Sequence, residues 1–572
     1  MVDMEWLEAA AGKRPVDLLI KNALWLDVFS GTFKQGNLGI HKGRFTGPGS
    51  YKARRTLDLG GQYLVPGFVD GHCHLESSML TPREFARAVL PRGTTAVVAD
   101  PHEIANVLGL EGIRYMVEAS RGLPVRFFFT LPSCVPATHL ESSGARLSAQ
   151  ELSLLAQEPW VAGLGEVMNA PGVVLGHREV HEKLKLFWGK VVDGHAPGWS
   201  GKLLNAYAGC GILSEHECTS LQEAQEKLSL GMWIMIRQGS TARNLEALLP
   251  LVNSKTVGRC ILVTDDRTPA GLMQEGHLDG ILKQAVAMGL DPILALQMVT
   301  INPCLYFGFR DMGAIAPGYR ADLVVLNSLE NFHVSMVMVN GRVAWSPKGG
   351  LRGLGQTPWA RPSSSFCMAP LCVERLRVKA LPGKMRVMEI VPGQILTRQD
   401  WVEPRVQDGL VVSDPERDIL KTVVAERHKG TGNLGVGFVR GFGLREGTMA
   451  SSVAHDSHNV VAVGVKDKDI LMALNKVAAM GGGLIVVKNG RILESLPLPV
   501  AGLMSQWPLQ RVVEKHEKVI KAVRGLGCTI SDPFMVLSFL ALPVIPELKL
   551  TDMGLVDVKE FKKVELFGAR GA

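Results

Sequence analysis

The pattern of apolar and polar positions divides the chain into regions with different predicted elements. Residues 15–64 alternate between apolar and polar between glycine-rich turns, which predicts short antiparallel strands. From residue 65 to about 305, short apolar runs alternate with helix-like stretches of roughly 10 to 20 residues, a pattern typical of repeated βα units. The β alternation returns at residues 306–350. We therefore predict a (β/α)8 barrel at residues 65–305, inserted in a small β-sandwich that residues 1–64 and 306–350 build together.

The composition changes after the second alternating region. The stretch from Gln356 to Ser365 holds two prolines and three consecutive serines, so we predict a linker at residues 351–370. Residues 371–572 mix strand-like runs with helical patterns such as Asp467 to Ala479, which predicts a separate C-terminal α+β domain. The predicted fold class is α/β, a (β/α)8 barrel inserted in a small β-sandwich and followed by this domain.

Composition and charge exclude several classes of protein. Of the 572 residues, 46% are hydrophobic and 20% are charged, which excludes a disordered or fibrous chain. The net charge of +7 is spread thinly, so no nucleic-acid partner is expected. The longest apolar stretches fall short of a membrane span, the N-terminus has no signal-peptide pattern, and the nine cysteines form no C-x-x-C pairs. These features predict a cytoplasmic protein with no membrane partner.

Polar residues stand at the ends of eight apolar runs in the predicted barrel. The carboxyl ends of the strands of a (β/α)8 barrel form one rim, so side chains that are distant in sequence converge there. We expect this convergence for the polar residues at the run ends: Asp70, His72, His74, Asp100, His102, Thr130, Glu166, His195, His216, Arg237 and Asp265.

The histidines and carboxylates of this rim form a pattern typical of a metal site. His72 and His74 flank one residue on a strand and so point to the same side, although two such histidines alone also occur without a metal. With Glu166, His195, His216 and Asp265 they provide ligands for two divalent ions. A carboxylate such as Glu166 can bridge two cations, which acidify a water between them, and Asp265 can move the proton. Asp265 and Asp266 are predicted to point to opposite faces of the strand.

Five barrel segments resemble a known family. They are VPGFVDGHCHLESSM at residues 65–79, ADPHEIAN at 99–106, DGHAP at 193–197, LSEHE at 213–217 and VTDDR at 263–267. They closely resemble the bacterial adenine deaminases of the amidohydrolase superfamily, and the resemblance extends to AHDSHN at 454–459. It implies a metal-dependent barrel flanked by a β-sandwich, the conversion of adenine and water into hypoxanthine and ammonia, and a binuclear centre of Mn(II) or Fe(II).

The resemblance also implies roles for individual residues. His72 and His74 match the family's first ligand pair, Glu166 matches its bridging carboxylate, and Asp265 matches its catalytic aspartate. His195 and His216 match the ligands of the second metal.

Several further positions have more than one interpretation. At residues 237–240 the chain has Arg-Gln-Gly-Ser where the family has Arg-Glu-Gly-Ser, so the position of Gln238 either contacts the purine or a metal-bound water, or caps a helix. Arg237 either hydrogen-bonds the purine or forms a structural ion pair. Asp100, His102 and Glu103 either shape the substrate pocket or form a turn or helix cap.

A second cluster lies in the C-terminal region. His455, Asp456 and His458 either reach the active site, hold another ion, or form a polar interdomain contact.

The predicted function is a metal-dependent adenine aminohydrolase that acts on a small-molecule purine. The alternatives are a related amidohydrolase acting on another amino-purine or a cyclic amide, and a catalytically silent oligomeric scaffold. A catalytically silent scaffold is expected to have lost metal ligands, whereas this sequence keeps all six candidate metal ligands. We expect the protein to form a homo-oligomer.

Overall fold

A computed structural model describes residues 3–355 and 366–568, so the predicted linker stretch 356–365 lies outside the described residues. After helix α1 (Met4–Ala10), the first alternating region forms five strands: β1 (Leu18–Asp27), β2 (Thr32–His41), β3 (Arg44–Pro48), β4 (Thr56–Asp58) and β5 (Tyr63–Pro66). Strand β1 pairs with β2 and β2 pairs with β3 in the predicted antiparallel manner. The strands of this region are not all antiparallel, however, because β4 and β5 both pair with β1 in parallel.

The predicted barrel is confirmed. Its strands are β6 (Phe68–His74), β7 (Thr94–Ala99), β8 (Arg126–Leu131), β9 (Val161–Val167), β10 (Val191–Gly194), β11 (Ser214–Glu215), β12 (Trp233–Arg237), β13 (Cys260–Val263) and β14 (Asp265–Asp266). Parallel pairs run from β6 to β10 and from β11 to β13. The amide of Leu213 donates to the carbonyl of Val192 and joins the two sets, while β14 pairs with β6 and closes the ring. When β13 and β14 are counted as one interrupted strand, the barrel has the eight strands that were predicted.

Helices cover the outside of the barrel because its strands are buried and need apolar partners on both faces. They are α2 (Pro82–Val89), α3 (His102–Leu108), α4 (Leu110–Ser120), α5 (Ala149–Ser153), α6 (Ala170–Val174), α7 (Arg178–Leu186), α8 (Gly201–Gly209), α9 (Leu221–Ser229), α10 (Leu245–Leu248), α11 (Pro269–Gln274), α12 (Leu278–Ala287), α13 (Pro292–Met298) and α14 (Ile301–Phe307).

The chain then returns to the first sheet through β15 (Leu323–Leu326), β16 (Val334–Val339), β17 (Arg342–Ser346) and β18 (Gly350–Leu351). Strand β15 pairs antiparallel with β5, and the strand order is β18-β17-β16-β15-β5-β1-β2-β3, with β4 beside β1. Because β5 lies between β1 and β15 and leads directly into the barrel, no hairpin turn sets its direction. This explains why it runs parallel to β1.

The C-terminal region is an α+β unit, as predicted. Its strands are β19 (Val378–Lys379), β20 (Met385–Ile390), β21 (Thr397–Val402), β22 (Val406–Gln407), β23 (Leu410–Val411), β24 (Ile419–Ala425), β25 (Leu434–Arg440), β26 (Thr448–Ser451), β27 (Val460–Gly464), β28 (Gly483–Lys488), β29 (Arg491–Pro497), β30 (Leu548–Thr551), β31 (Gly554–Asp557) and β32 (Lys562–Val564). Its helices are α15 (Asp467–Ala479), α16 (Leu509–Gly525) and α17 (Pro533–Phe539). Eight of the strands form one mixed sheet, in the order β21-β20-β25-β24-β27-β26-β28-β29.

This C-terminal unit packs against the mouth of the barrel. The amide of Ser505 donates to the carbonyl of Met79, and the amide of Leu509 donates to the Glu84 carboxylate. Within residues 3–355 and 366–568, no helix has the length and apolar character that a membrane span requires.

Candidate active site

The first group of candidate ligands lies at the end of β6. His72 and His74 leave this strand on the same side, because side chains alternate with period 2. Their Nε2 atoms lie 3.7 and 3.2 Å from Oδ1 of Asp265, whose strand pairs with β6. His74 Nε2 also lies 3.4 Å from Oε1 of Glu166, near the end of β9. Two imidazoles and two carboxylates thus converge from three parts of the barrel.

The second group lies on the other side of Glu166. His195 follows β10 and places Nδ1 2.6 Å from Oε2 of Glu166. His216 follows β11 and places Nε2 3.2 Å from the same oxygen. Glu166 therefore presents one oxygen to each group, which is the arrangement that a carboxylate bridging two cations requires.

Burial and charge make these groups suitable as metal ligands. None of the six side chains, His72, His74, Glu166, His195, His216 and Asp265, is more than 5% exposed. Burial and the neighbouring His216 and His74 hold the pKa of His72 well below its usual value, so the imidazole is neutral. Burial opposes the ionised form of Glu166, but His216 and His195 outweigh it and hold its pKa well below the usual range. Nε2 of His72 has no hydrogen-bond partner among the described residues. The pKa values of His74, His195 and His216 are raised instead, because the carboxylates of Asp265, Glu217 and Glu166 outweigh the effect of burial. Divalent metals bind neutral imidazoles and ionised carboxylates and displace such protons, so four histidines that face two carboxylates fit such ions.

Arg237 lines the same cavity, but protein partners occupy most of its guanidinium. Nη1 and Nη2 donate to the carboxylate of Glu217, and Nη1 also donates to Oδ2 of Asp265 at 2.8 Å. Nε donates to Asn244 at 3.1 Å. Of the two interpretations of Arg237, the structure therefore supports the ion pair over a hydrogen bond to a purine.

Glu217 is a site residue that sequence reasoning missed. Its Oε1 lies 3.7 Å from both His195 Nδ1 and His216 Nε2, and its side chain lines the cavity. The available signal was its position directly after His216 at a strand end. A carboxylate beside a basic residue on the next strand end is a candidate ion pair.

Asp100 does not line the cavity, contrary to its prediction as a substrate contact. Its Oδ2 accepts a hydrogen bond at 3.1 Å from the backbone amide of Glu166, so it orients that residue instead. His102 and Glu103, at the start of α3, do line the cavity. His102 Nδ1 lies 3.5 Å from Oε1 of Glu166.

The prediction that Asp265 and Asp266 point to opposite faces is wrong. Both side chains line the cavity, and a ligand atom of each lies within 4.8 Å of the others and of one from His74. The cause is local: Asp265 has a φ of 55°, in the left-handed region, which breaks the alternation of an extended strand. Asp266 accepts a hydrogen bond from Ser77 Oγ, whereas Asp265 faces His74 and Arg237.

Gln238 is directed away from the cavity. Its Nε2 donates to Oε1 of Gln284 at 3.0 Å, and its Oε1 accepts from the amide of Leu245 at 3.3 Å, at the first residue of α10. The prediction of a substrate contact at Gln238 is therefore replaced by the helix-capping interpretation. Position 238, where the family has a glutamate, therefore lies outside the site.

The loop between β26 and β27 brings the C-terminal unit into the barrel mouth. His455 and Asp456 line the cavity. His455 Nδ1 lies 3.1 Å from Oε1 of Glu103, and Asp456 Oδ1 lies 3.5 Å from Nε2 of His102. The pKa of His455 is raised to about 9 because the nearby Glu103 carboxylate outweighs the effect of burial. The cation of His455 thus faces the acidic start of α3.

His458 is fully buried near the end of this loop and does not line the cavity. Its Nδ1 accepts a hydrogen bond from the amide of Ala454 at 3.2 Å, and its Nε2 lies 3.8 Å from Oε2 of Glu103. His458 therefore contacts the barrel through Glu103 and not through the cavity. Ligand atoms of Glu103, His455 and His458 lie within 4.8 Å of one another, so a metal contact at this place stays a prediction.

Apolar side chains from the C-terminal unit cover the cavity. We call Ile395, Phe539, Leu542 and Ile545 the roof. The ring of Phe539 stacks on that of His455 at a centroid distance of 4.8 Å. The side chains beneath the roof line one cavity, in which His74, Glu166, His216 and Asp265 lie opposite these apolar residues. The site is thus polar on the barrel side and apolar on the opposite side.

The fold and the ligand geometry define a class of hydrolase that comparison with known proteins also supports. Residues 63–344 match the amidohydrolase family, and residues 394–562 match the adenine deaminase C-terminal domain. Adenine deaminase 2 of Carboxydothermus hydrogenoformans is 49% identical over 98% of both chains. An adenine deaminase of Dehalococcoides mccartyi is 47% identical and one of Kosmotoga olearia is 43% identical, each over 98% of both chains.

These full-length similarities include the barrel, the split sheet and the domain that covers the site. The chain belongs to the adenine deaminase family.

Proposed function

We propose that this protein hydrolyses adenine to hypoxanthine and ammonia. The observation that carries the proposal is the position of Glu166, which presents one carboxylate oxygen to His74 and the other to His195 and His216, inside a buried cavity. The full-length similarity to adenine deaminases supports the choice of substrate.

We propose two divalent metal ions, Mn(II) or Fe(II), as the cofactors. His72, His74 and Asp265 would hold one ion, His195 and His216 would hold the other, and Glu166 would bridge them. Two such ions supply a strong nucleophile at neutral pH, because they lower the pKa of a bound water.

Asp265 is proposed to move the protons of the reaction. Arg237 holds Oδ2 of Asp265 at 2.8 Å and leaves Oδ1 beside the histidines, where it can accept a proton from the attacking water. The water oxygen forms a bond to C6 of the purine while the C6=N1 double bond breaks and its electron pair passes to N1. The double bond then re-forms as the bond from C6 to the amino nitrogen breaks, and Asp265 returns the proton to this nitrogen, which departs as ammonia. The remaining hydroxyl proton moves to N1 and gives hypoxanthine.

The purine ring is proposed to lie between the two walls of the cavity. His102, Glu103 and His455 form a polar wall that can hydrogen-bond ring nitrogens, and the roof covers the apolar ring face. Closing the site in this way excludes water other than the reacting molecule.

Ammonia release from a panel of purines and cyclic amides, with Mn(II)-loaded protein, tests the proposal. We expect adenine to give the highest kcat/KM. Turnover of another amino-purine or a cyclic amide in preference to adenine would assign a different amidohydrolase activity, and no turnover of any substrate would favour the silent scaffold. Homo-oligomer formation and cytoplasmic location stay predictions.

The Gln238→Glu variant should leave the activity unchanged. Gln238 bonds Gln284 and the start of α10 and does not line the cavity. We therefore expect kcat/KM for adenine to stay within about twofold of the wild-type value, less than the roughly tenfold change that 1.4 kcal/mol would produce. A larger change in steady-state kinetics at equal metal content would contradict the capping role.

A further inference from the structure

One buried side chain beneath the roof has no part in the mechanism above. Lys549 lies on β30 and is 0% exposed. Its Nζ donates to the backbone carbonyl of Ile395 at 3.1 Å and to that of Phe539 at 2.9 Å. These two carbonyls belong to separate segments of the chain, and each segment contributes side chains to the roof.

The two roof segments run side by side and are joined by polar contacts at one end. The hydroxyl of Thr397 donates to the carbonyl of Leu548 at 2.8 Å, and the amide of Gln399 donates to the Glu547 carboxylate at 3.1 Å. The amide of Thr397 donates to the carbonyl of Pro546 at 3.0 Å, and that of Glu547 donates to the carbonyl of Thr397 at 2.8 Å. Towards the cavity, Phe539, Leu542 and Ile545 form an apolar cluster against which Ile395 packs. Apolar contacts are not directional, so they do not by themselves fix the distance between the segments. Lys549 supplies directional bonds at this place.

The stability of the fold does not by itself explain why a lysine stands at position 549. Within residues 3–355 and 366–568 its hydrogen-bond partners are the two carbonyls, and none is a carboxylate. Burial alone lowers its pKa to about 7. A buried amine without a carboxylate is costly, and an apolar side chain of the same length would fill the space without that cost. An amine, however, has two N–H donors when neutral and three when charged, so in either form it can hold two carbonyls at once.

We propose that Lys549 is a positioning residue that holds the two segments of the roof together over the substrate. It acts through Ile395 and Phe539 and does not touch the purine. The proposal rests on the proposed function, because the roof is assigned there to one face of the ring.

The test compares Lys549→Met with a matched control. Methionine keeps the length of the side chain and removes the donors. The control is Lys421→Met in the same domain: Lys421 is also buried, and it donates to the carbonyl of Leu376 and the carboxylate of Asp467, away from the roof. Both variants lose a buried amine, so only an effect that depends on the roof distinguishes them.

We expect Lys549→Met to raise KM for adenine by about tenfold and to change kcat by less than about threefold, because the roof contacts substrate and transition state alike. Lys421→Met should keep the wild-type KM. Amide hydrogen exchange of the uncomplexed protein should be faster at residues 395–397 and 540–545 in Lys549→Met only. If Lys549→Met does not fold, Lys549→Gln, which keeps one donor group, should show the same changes to a smaller extent.

A wild-type KM and wild-type exchange rates in the folded position-549 variant would overturn the proposal, as would equal KM increases in both methionine variants. The exchange measurement requires no turnover. If the wild-type protein fails to deaminate adenine, the proposed function fails, and exchange at residues 395–397 and 540–545 still decides whether Lys549 holds the roof.

Discussion

The Asp265→Asn variant is expected to lose at least about 10²-fold in kcat, the lower end for removal of a general acid or base. Asparagine preserves the shape of the side chain but cannot accept the proton. It also weakens the bond from Arg237, whose Nη1 lies 2.8 Å from Oδ2 of Asp265. Steady-state kinetics at measured metal content separate the loss of proton transfer from the loss of metal.

Asp266→Asn is the matched control, because Asp266 lines the same cavity and is the next residue in the chain. Asp266 accepts a hydrogen bond from Ser77 and has no contact with Arg237 comparable to that of Asp265. The loss of kcat in Asp266→Asn should therefore be clearly smaller than that in Asp265→Asn. Equal losses at equal metal content, or a larger loss at Asp266, would show that the proton transfer is assigned to the wrong aspartate.

The Glu166→Gln variant should lose both metal and activity. In the part of the chain that the structure describes, Glu166 is the one residue whose oxygens face both histidine groups, so a neutral amide there weakens both sites at once. We expect the metal content to fall from about two ions per chain to one or none. We also expect kcat to fall by about 10³-fold or more, because the ions stabilise the transition state by several kcal/mol. Metal analysis of the purified variant provides the measurement.

Glu215→Gln provides the control for Glu166. Glu215 is buried at the end of β11, one residue before His216, but its carboxylate pairs with Lys227 at 2.9 Å and does not line the cavity. The change should lower Tm and leave the metal content near that of the wild type. Full metal occupancy in Glu166→Gln would refute the bridging role.

The candidate ligands could be identified from the sequence because their placement depends on a general property of the fold. The carboxyl ends of parallel barrel strands meet at one rim, so His72, Glu166 and His216 become neighbours whatever the connecting helices do. The structure places all six predicted ligands together. Strand ends, unlike helix surfaces, are located by short apolar runs that the sequence displays directly.

Features that depend on single dihedral angles or on docking between domains could not be predicted. The positive φ of Asp265 turns its side chain and that of Asp266 to the same cavity, and no sequence pattern indicates it. Whether Arg237 binds a substrate or Glu217 depends on the directions of two rim side chains, which no sequence pattern indicates. The roof residues Ile395 and Phe539 lie far along the chain from the barrel, and their place follows from how two folded units pack.

The split first sheet has a consequence for synthesis of the chain. Strand β5 ends at Pro66, but its partner β15 begins only at Leu323, so one edge of β5 has no neighbour until the barrel has been made. At ribosomal rates of about 5 to 20 residues per second, the 257 residues from Pro66 to Leu323 take roughly 13 to 51 s. An open strand edge pairs readily with other chains. A fragment truncated before residue 323 should therefore self-associate through β5, whereas one extended beyond β15 should not.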